Sequence, residues 1–521
     1  MVPARGAIAA VVVSMTILVG CADSDDDHAA TTTSTAALPP NQVAGIPLPD
    51  DAVDNAVGEL DELVESIMDS THIPGMAVAV VHGGKTVYAK GFGVRQAGTD
   101  DKVDTDTVFQ LASVSKSVAA TVVASQVGAG RVDWTTPVVT HLPDFALADP
   151  ATTAELTVGD LLAHRSGLPD HAGDRLEDIG FDQAAILEKL RLEPLSPFRI
   201  TYEYTNFGFT AGAEAVAAAA GKDWAQLSAD ALYTPLGMGS TSSRFDDFLA
   251  RPDRAVGHVN IDGRWVARSV RNPDAQSPAG GVSSSVDDMA RWLTMLLADG
   301  APIAPAEALL PAITPQIISA PAATPDARAG AYGFGFNSST AASGRTAYSH
   351  SGGFTLGAAT NFLVIPSADV AIVALTNAAP IGVPETITAE FADLVQFGEI
   401  REDWRGLFRD ALSSLSDPEG DLSGQAPPPN PAPAQPLASY VGTYANEYWG
   451  PARITETPTG LELAIGPATE HYPLRHWDGD TFAFEPSGEN APPGSVSSAT
   501  FTGGELTLNY FDENGLGTFT R

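Results

Sequence analysis

The stretch Phe109-Gln110-Leu111-Ala112-Ser113-Val114-Ser115-Lys116 runs directly into an apolar segment, Val118-Ala119-Ala120-Thr121-Val122-Val123-Ala124. The pattern predicts a helix over 113–127 with Ser113 at its start. Positions i and i+3 of a helix share a face, so the Ser113 hydroxyl and the Lys116 amine can meet. A serine hydroxyl is a poor nucleophile without a base. A lysine normally keeps its proton to a pKa of ~10.4, and burial lowers that value by several units. N–H groups at the helix start would favour a developing oxyanion. A lone Ser-x-x-Lys is usually an N-cap serine followed by a surface lysine, so its meaning depends on what accompanies it.

Two further segments accompany it. In Tyr202-Glu203-Tyr204-Thr205-Asn206-Phe207-Gly208, Tyr204 and Asn206 point the same way on an extended or loop backbone. A phenol beside a lysine can relay protons, and an amide can orient a substrate carbonyl. By itself, a buried tyrosine is most often core with a hydrogen-bonded hydroxyl. The third segment, His350-Ser351-Gly352-Gly353, ends a predicted strand. Its glycines would let the backbone approach a ligand closely.

Outward from these segments, strands are predicted at 75–81, 85–92, 347–351, 360–365 and 370–376. Helices are predicted at 113–127, 158–164, 209–220, 224–233 and 286–297. Strands at both ends with helices between them imply one sheet built from distant parts of the chain, with a helical insertion. Seven short alternating segments between 440 and 510, separated by turn residues, predict a small antiparallel sheet or barrel. The chain thus divides into a signal peptide (1–20), a solvated tether (21–50), a large domain (51–415), a Pro-rich, extended linker (416–436) and a small all-β module (437–521).

The three chemical segments, in this order and at these spacings, resemble the serine β-lactamase/penicillin-binding superfamily. The likeness is closest to its class C-like branch, which includes esterases, D-amino-acid peptidases and related amidases. Leu161-Leu162-Ala163-His164-Arg165-Ser166-Gly167-Leu168-Pro169, Pro278-Ala279-Gly280-Gly281-Val282-Ser283-Ser284 and Tyr332-Gly333-Phe334-Gly335-Phe336 add to it. The resemblance spans about residues 55–400. It implies an α/β (α+β) fold: a five-stranded antiparallel sheet flanked by helices, plus a helical subdomain. It also implies that Ser113 is the acylated nucleophile, Lys116 its base and Tyr204 the proton shuttle. The N–H groups of Ser113 and Gly353 would form the oxyanion hole. Asn206 would contact the substrate amide, with His350, Ser351 and Gly352 lining the substrate strand. The 437–521 module resembles a β-rich appendage found after such domains, through Tyr440-Val441-Gly442-Thr443-Tyr444 and Asn514-Gly515-Leu516-Gly517-Thr518-Phe519.

One departure is informative. His350 stands where β-lactamases of this class carry lysine, and the last lysine of the chain is Lys222, so no downstream Lys-Thr-Gly exists. Arg345, five residues upstream, is the candidate to replace that charge. The expected activity is hydrolysis of small esters or amides, of the esterase or D-amino-acid peptidase kind. A true β-lactamase or D-Ala-D-Ala carboxypeptidase is the alternative, and a non-catalytic cell-envelope binding module is the rival from another class. The intact Ser113, Lys116 and Tyr204 set argues against the rival.

The N-terminus reads as an address. Arg5 precedes an apolar run, Ala7 to Val19, ending in Leu18-Val19-Gly20-Cys21 before a polar Asp-rich tract. The run has the length of a signal-peptide core. It is short of the ~20 residues a membrane span needs. The segment resembles a bacterial lipobox, which implies lipidation of Cys21 and an exported protein anchored on the extracytoplasmic side. Cys21 is the sole cysteine, so no disulfide can form within the chain. A formal charge of −36 repels nucleic acid and anionic headgroups, which leaves a small-molecule or peptide substrate as the expected partner. No His-Glu-x-x-His, glycine-rich dinucleotide motif or P-loop occurs, so neither metal nor cofactor is expected. His164 and His171, which flank one loop, are expected to make hydrogen bonds.

Overall fold

Gly75–His82 (GMAVAVVH) is buried on both faces, and its two apolar sets enter two different cores. Met76, Val78 and Val80 pack with residues of the helices Ala52–Thr71 and Val383–Phe397. Ala77, Ala79 and Val81 face the helix Val286–Leu297 and belong to the core that also holds Val114–Gly128. This is the period-2 alternation of a central strand, and it fixes a three-layer arrangement of helix, sheet and helix. The computed structural model describes residues 46–267 and 270–521. The signal-peptide segment, Cys21 and most of the tether lie outside the described residues.

The sheet is antiparallel at every step. Its order is Lys85–Gly93, Gly75–His82, Val370–Thr376, Ala358–Ile365, Thr346–Phe354, Asn337–Thr340, Gly330–Tyr332, Ile317–Ala320. Its first five strands are those predicted, and the antiparallel α/β class holds. The sheet has eight strands because three short ones, three or four residues each, continue it beyond Thr346–Phe354. One of them, Asn337-Ser338-Ser339-Thr340, carries only small and polar residues, and all three are too short to leave much apolar alternation to read.

The helices Ala52–Thr71 and Val383–Phe397 were not among those predicted, though the first carries a legible stripe. Val53, Ala56, Leu60, Leu63, Val64 and Ile67 recur at helical spacing and are buried. Val114–Gly128 is buried almost all round, as its unbroken apolar composition requires. The inserted helical region includes Val158–Leu162, Asp174–Asp178, Gln183–Lys189 and Asn206–Ala220.

The C-terminal module is an eight-stranded antiparallel meander from Gly442–Tyr444 to Thr518–Thr520. An antiparallel bridge between Ala445 and Thr520 joins its ends, so the sheet closes as a barrel. Closure removes the free edges. Inward side chains such as Leu463, Phe482, Leu506 and Phe519 fill it. The final strand, which completes the closure, extends the seven predicted segments.

The 416–436 stretch, expected as an extended linker, is anchored on the barrel. Leu422 packs with Trp477 and Ala483 of the barrel. The Asp421 carboxylate accepts from the Ser497 hydroxyl at 2.9 Å and the Ser498 hydroxyl at 2.7 Å. The Ala432 N–H donates to Asp478 at 2.6 Å. Composition describes the prolines, but these few anchoring residues set the path.

Candidate active site

The turn before the Val114–Gly128 helix is strained. Ala112 has φ 46°, in the left-handed region, which costs about 1–3 kcal/mol for a residue other than glycine. Tertiary contacts hold it there. Ala112 packs against Phe354 and Ala358, the Leu111 N–H donates to the Val282 carbonyl at 2.9 Å, and the Thr360 hydroxyl donates to the Leu111 carbonyl at 2.7 Å. Gly352 completes the clamp. A Cβ there would lie 2.2 Å from the Leu111 oxygen and 2.9 Å from the Ser113 nitrogen. The turn delivers Ser113, half-buried, at the first position before the helix.

Lys116 is fully buried one turn later. Its Nζ lies 3.0 Å from Ser113 Oγ, 2.7 Å from Asn206 Oδ1 and 3.1 Å from the Ala279 carbonyl. Loss of hydration brings its pKa down to about 7. Asp174 pulls the other way and the Arg271 charge adds to the fall. Tyr204 presents its ring 4.5 Å below the same amine, and the Ser113 side chain lies within interaction range of its phenol. Burial pushes that phenol well above its usual range, so it stays protonated. The Tyr204 N–H is held by the Asp170 carboxylate.

Asn206, expected to contact the substrate amide, is tied to two side chains of the site. Its Oδ1 accepts from Lys116, and its Nδ2 donates to Asp174 Oδ2 at 2.7 Å. One lone pair and one N–H of the amide are thus used in orienting the lysine. Asp174 also meets His171 Nδ1 at 2.8 Å. His164 Nδ1 accepts from the Thr205 N–H at 3.1 Å, and its ring lies 4.4 Å from that of Tyr204.

The 350–353 strand needs two corrections. His350 Nδ1 lies 2.6 Å from the Ser351 carbonyl, and Nε2 lies 2.8 Å from the Tyr332 hydroxyl. Nδ1 must therefore carry the proton and Nε2 accept from the phenol. Neither nitrogen is left for a substrate. Burial first, then the Lys116 charge, lowers the His350 pKa to about 3, so the ring is neutral at pH values near ~6 as well. The Ser351 hydroxyl accepts from Asn361 Nδ2 at 2.9 Å and reaches toward Glu385 on the Val383–Phe397 helix. It therefore faces the sheet side away from Ser113, as strand alternation dictates. Gly352 faces the turn that carries Ser113, and Gly353 is exposed. Arg345 does not replace the missing lysine. Its guanidinium donates to the Ile46 carbonyl at 2.8 Å.

Asp174, Ala279, Arg271 and Glu489 were missed by sequence reasoning. Asp174 meets Asn206 across 32 residues of chain, and Ala279 contributes only a backbone carbonyl, so neither carries a local signal.

The beta-lactamase family profile matches residues 60–397. The chain belongs to that family. A second profile, a domain of unknown function (DUF3471), matches residues 426–506. The chain is 28% identical over 431 residues to an unguisins hydrolase, ungD', of Aspergillus campestris, across 77% of this chain and 78% of that one. It is 30% identical over 246 residues to penicillin-binding protein 4 of Amycolatopsis lactamdurans, across 46% and 63% respectively. An octameric penicillin-binding protein homologue from Pyrococcus abyssi superposes with a TM-score of 0.60 at 19% identity, over 89% of this chain and 100% of that one. The last likeness establishes the fold alone. This beta-lactamase-family protein is a serine hydrolase that works through an acyl-enzyme.

Proposed function

We propose that the protein hydrolyses small neutral esters or amides through an acyl-enzyme on Ser113. The observation that carries this reading is the Lys116 amine, buried, lowered to about 7, and 3.0 Å from Ser113 Oγ. A neutral amine has two N–H groups and one lone pair. Asn206 Oδ1 and the Ala279 carbonyl take the N–H groups, which leaves the lone pair for the Ser113 proton. Ser113 Oγ bonds to the substrate carbonyl carbon as its proton passes to Lys116. The N–H groups of Ser113 and Gly353 receive the oxyanion. The proton then moves through the Tyr204 phenol to the leaving alkoxide or amine as its bond to carbon breaks. Water attacks the acyl-enzyme by the same steps in reverse and restores Ser113.

The preference for neutral substrates is supported by His350. A carboxylate entering the site needs a cation to offset its desolvation, and the neutral imidazole supplies none. Fluorophosphonate labelling tests the mechanism. Ser113→Ala should abolish labelling, while Lys116→Ala and Tyr204→Phe should slow acylation by ~10²–10⁴-fold. Persistent labelling of Ser113→Ala overturns the assignment, and faster turnover of a cephalosporin than of a short aryl ester overturns the substrate class.

Export and lipid anchoring through Cys21 are proposed on the apolar run and the single cysteine that follows it. Cys21→Ser should lose both lipid label and membrane association; unchanged lipid labelling refutes the anchor.

A further inference from the structure

The barrel reaches the site through the loop 485–496, between strands Thr481–Phe484 and Ser497–Thr502. The Glu489 N–H, the Asn490 N–H and Asn490 Nδ2 all donate to the Asp178 carboxylate, at 3.1, 3.0 and 2.8 Å. Asp178 ends the helix Asp174–Asp178, whose first residue holds Asn206. The loop is thus fastened to the element that orients Lys116.

Glu489 continues inward and is buried. Its Oε1 accepts from the Thr355 N–H at 2.6 Å and its Oε2 from the Leu356 N–H at 3.3 Å. Arg271 Nη1 lies 3.4 Å from Oε1. The Arg271 guanidinium also pairs with Glu177 at 2.6 Å and stacks 4.6 Å from the ring of Phe354. Phe354 follows Gly353 in the strand and packs on Ala112, the residue before Ser113. Two convergent backbone N–H groups backed by a buried guanidinium make a carboxylate-binding pocket. It stands where the strand runs on from Gly353, and the chain's own Glu489 fills it.

We propose that Glu489 is a specificity-determining residue: by occupying the carboxylate pocket of Arg271, Thr355 and Leu356, it turns the site away from acyl groups that end in a carboxylate. This rests on the acyl-enzyme reading of Ser113 and adds a substrate class to it. Burial raises the Glu489 pKa to about 7 against the pull of the Arg271 charge, so above that pH a second carboxylate would meet a like charge, and at any pH it would find the N–H groups and guanidinium already taken and its own desolvation uncompensated. Rejection by a built-in like charge is a general route to specificity. Without the Glu489 side chain, the same N–H groups and guanidinium would receive the substrate instead.

The experiment uses full-length protein and paired substrates, the 4-nitrophenyl half-esters of glutarate and adipate and their neutral methyl diesters. Fluorophosphonate titration counts the active sites in each preparation. In Glu489→Ala the ratio of kcat/KM for the anionic over the neutral partner should rise by at least ~10-fold, the scale of a close charge pair. Glu489→Gln, which keeps the shape and drops the charge, should give a smaller rise and serves if the alanine variant does not fold. Free glutarate should protect the alanine variant, and not the wild type, against labelling. An unchanged ratio in titratable variants overturns the proposal. Failure of the wild type to label at all would instead overturn the reading of Ser113.

Discussion

Three acceptors converge on the Lys116 amine, and bulk water is excluded from it. Desolvation disfavours its charged form, so the amine is about half neutral near pH 7. The buried Tyr204 phenol keeps its proton over the same range, in keeping with the proposed roles of lysine as base and phenol as relay. The sign for activity follows. Below about 7 the amine is protonated and cannot accept the Ser113 proton; above it, the lone pair is available. kcat/KM on a neutral ester should therefore rise with pH through about 7 and then level, and Lys116→Ala should lack that limb. A flat wild-type profile between about pH 5 and 9 would remove Lys116 as the base. The shift also acts on stability. The unfolded chain binds this proton up to 10.5 and the folded chain only to about 7, so the group opposes folding at low pH and ceases to above 10.5.

The element that matters most is the crossing of the Thr346–Phe354 strand over the turn at Ala112. The approach is so close that only a missing side chain permits it. Gly352→Ala would place a Cβ 2.2 Å from the Leu111 oxygen and 2.5 Å from Thr360 Oγ1. Backbone would have to move, at about 1–3 kcal/mol for overpacking of this kind. The same movement would displace the Ser113 N–H. Gly352→Ala should lower both the denaturation midpoint and the fluorophosphonate labelling rate. Full labelling at wild-type rate would show that the strand can retreat without disturbing Ser113. The helix Asp174–Asp178 is the second such element. Its five residues join Asn206 at one end to Glu489 and Asn490 at the other.

Hydrolase domain and barrel share one continuous buried core, through residues such as Ala172, Leu176 and Ile179 beside Tyr448, Trp449 and Phe511. Close packing at the junction is visible at Gly180, where an added Cβ would come within 2.5 Å of the Ala468 Cβ. Arg175 donates to the Tyr510 carbonyl at 2.5 Å and to Glu419 at 2.8 Å, and Asn514 Nδ2 donates to Glu193 at 3.0 Å. An interface of this kind predicts one cooperative unfolding transition for both parts. Asp178→Ala would leave three donors of the 489–490 loop without their carboxylate, a loss of at least about 1–3 kcal/mol. It should lower the single midpoint and also slow acylation, since the loop and the Asn206 support share that helix. Two separate transitions in urea, with only the later one shifted, would show that the parts are independent.

Local sequence was sufficient for the features that local physics controls. The period-2 run at Gly75, the apolar helix behind Ser113, and the i, i+3 spacing of serine and lysine were legible because each is written within a few residues. So were the five long strands and most of the barrel. The family segments added Tyr204 and Gly353 to that set as expectations. Tertiary structure alone decided which side of a strand a residue presents and what meets it across the chain. It turned Ser351 to the far face, closed both nitrogens of His350, and tied Asn206 to Lys116 and Asp174. It also carried Glu489 from the barrel to Thr355, 134 residues away in sequence. Hydrogen bonds and desolvation depend on three-dimensional neighbours, and a pattern of period 2 or 3.6 contains no record of partners so distant.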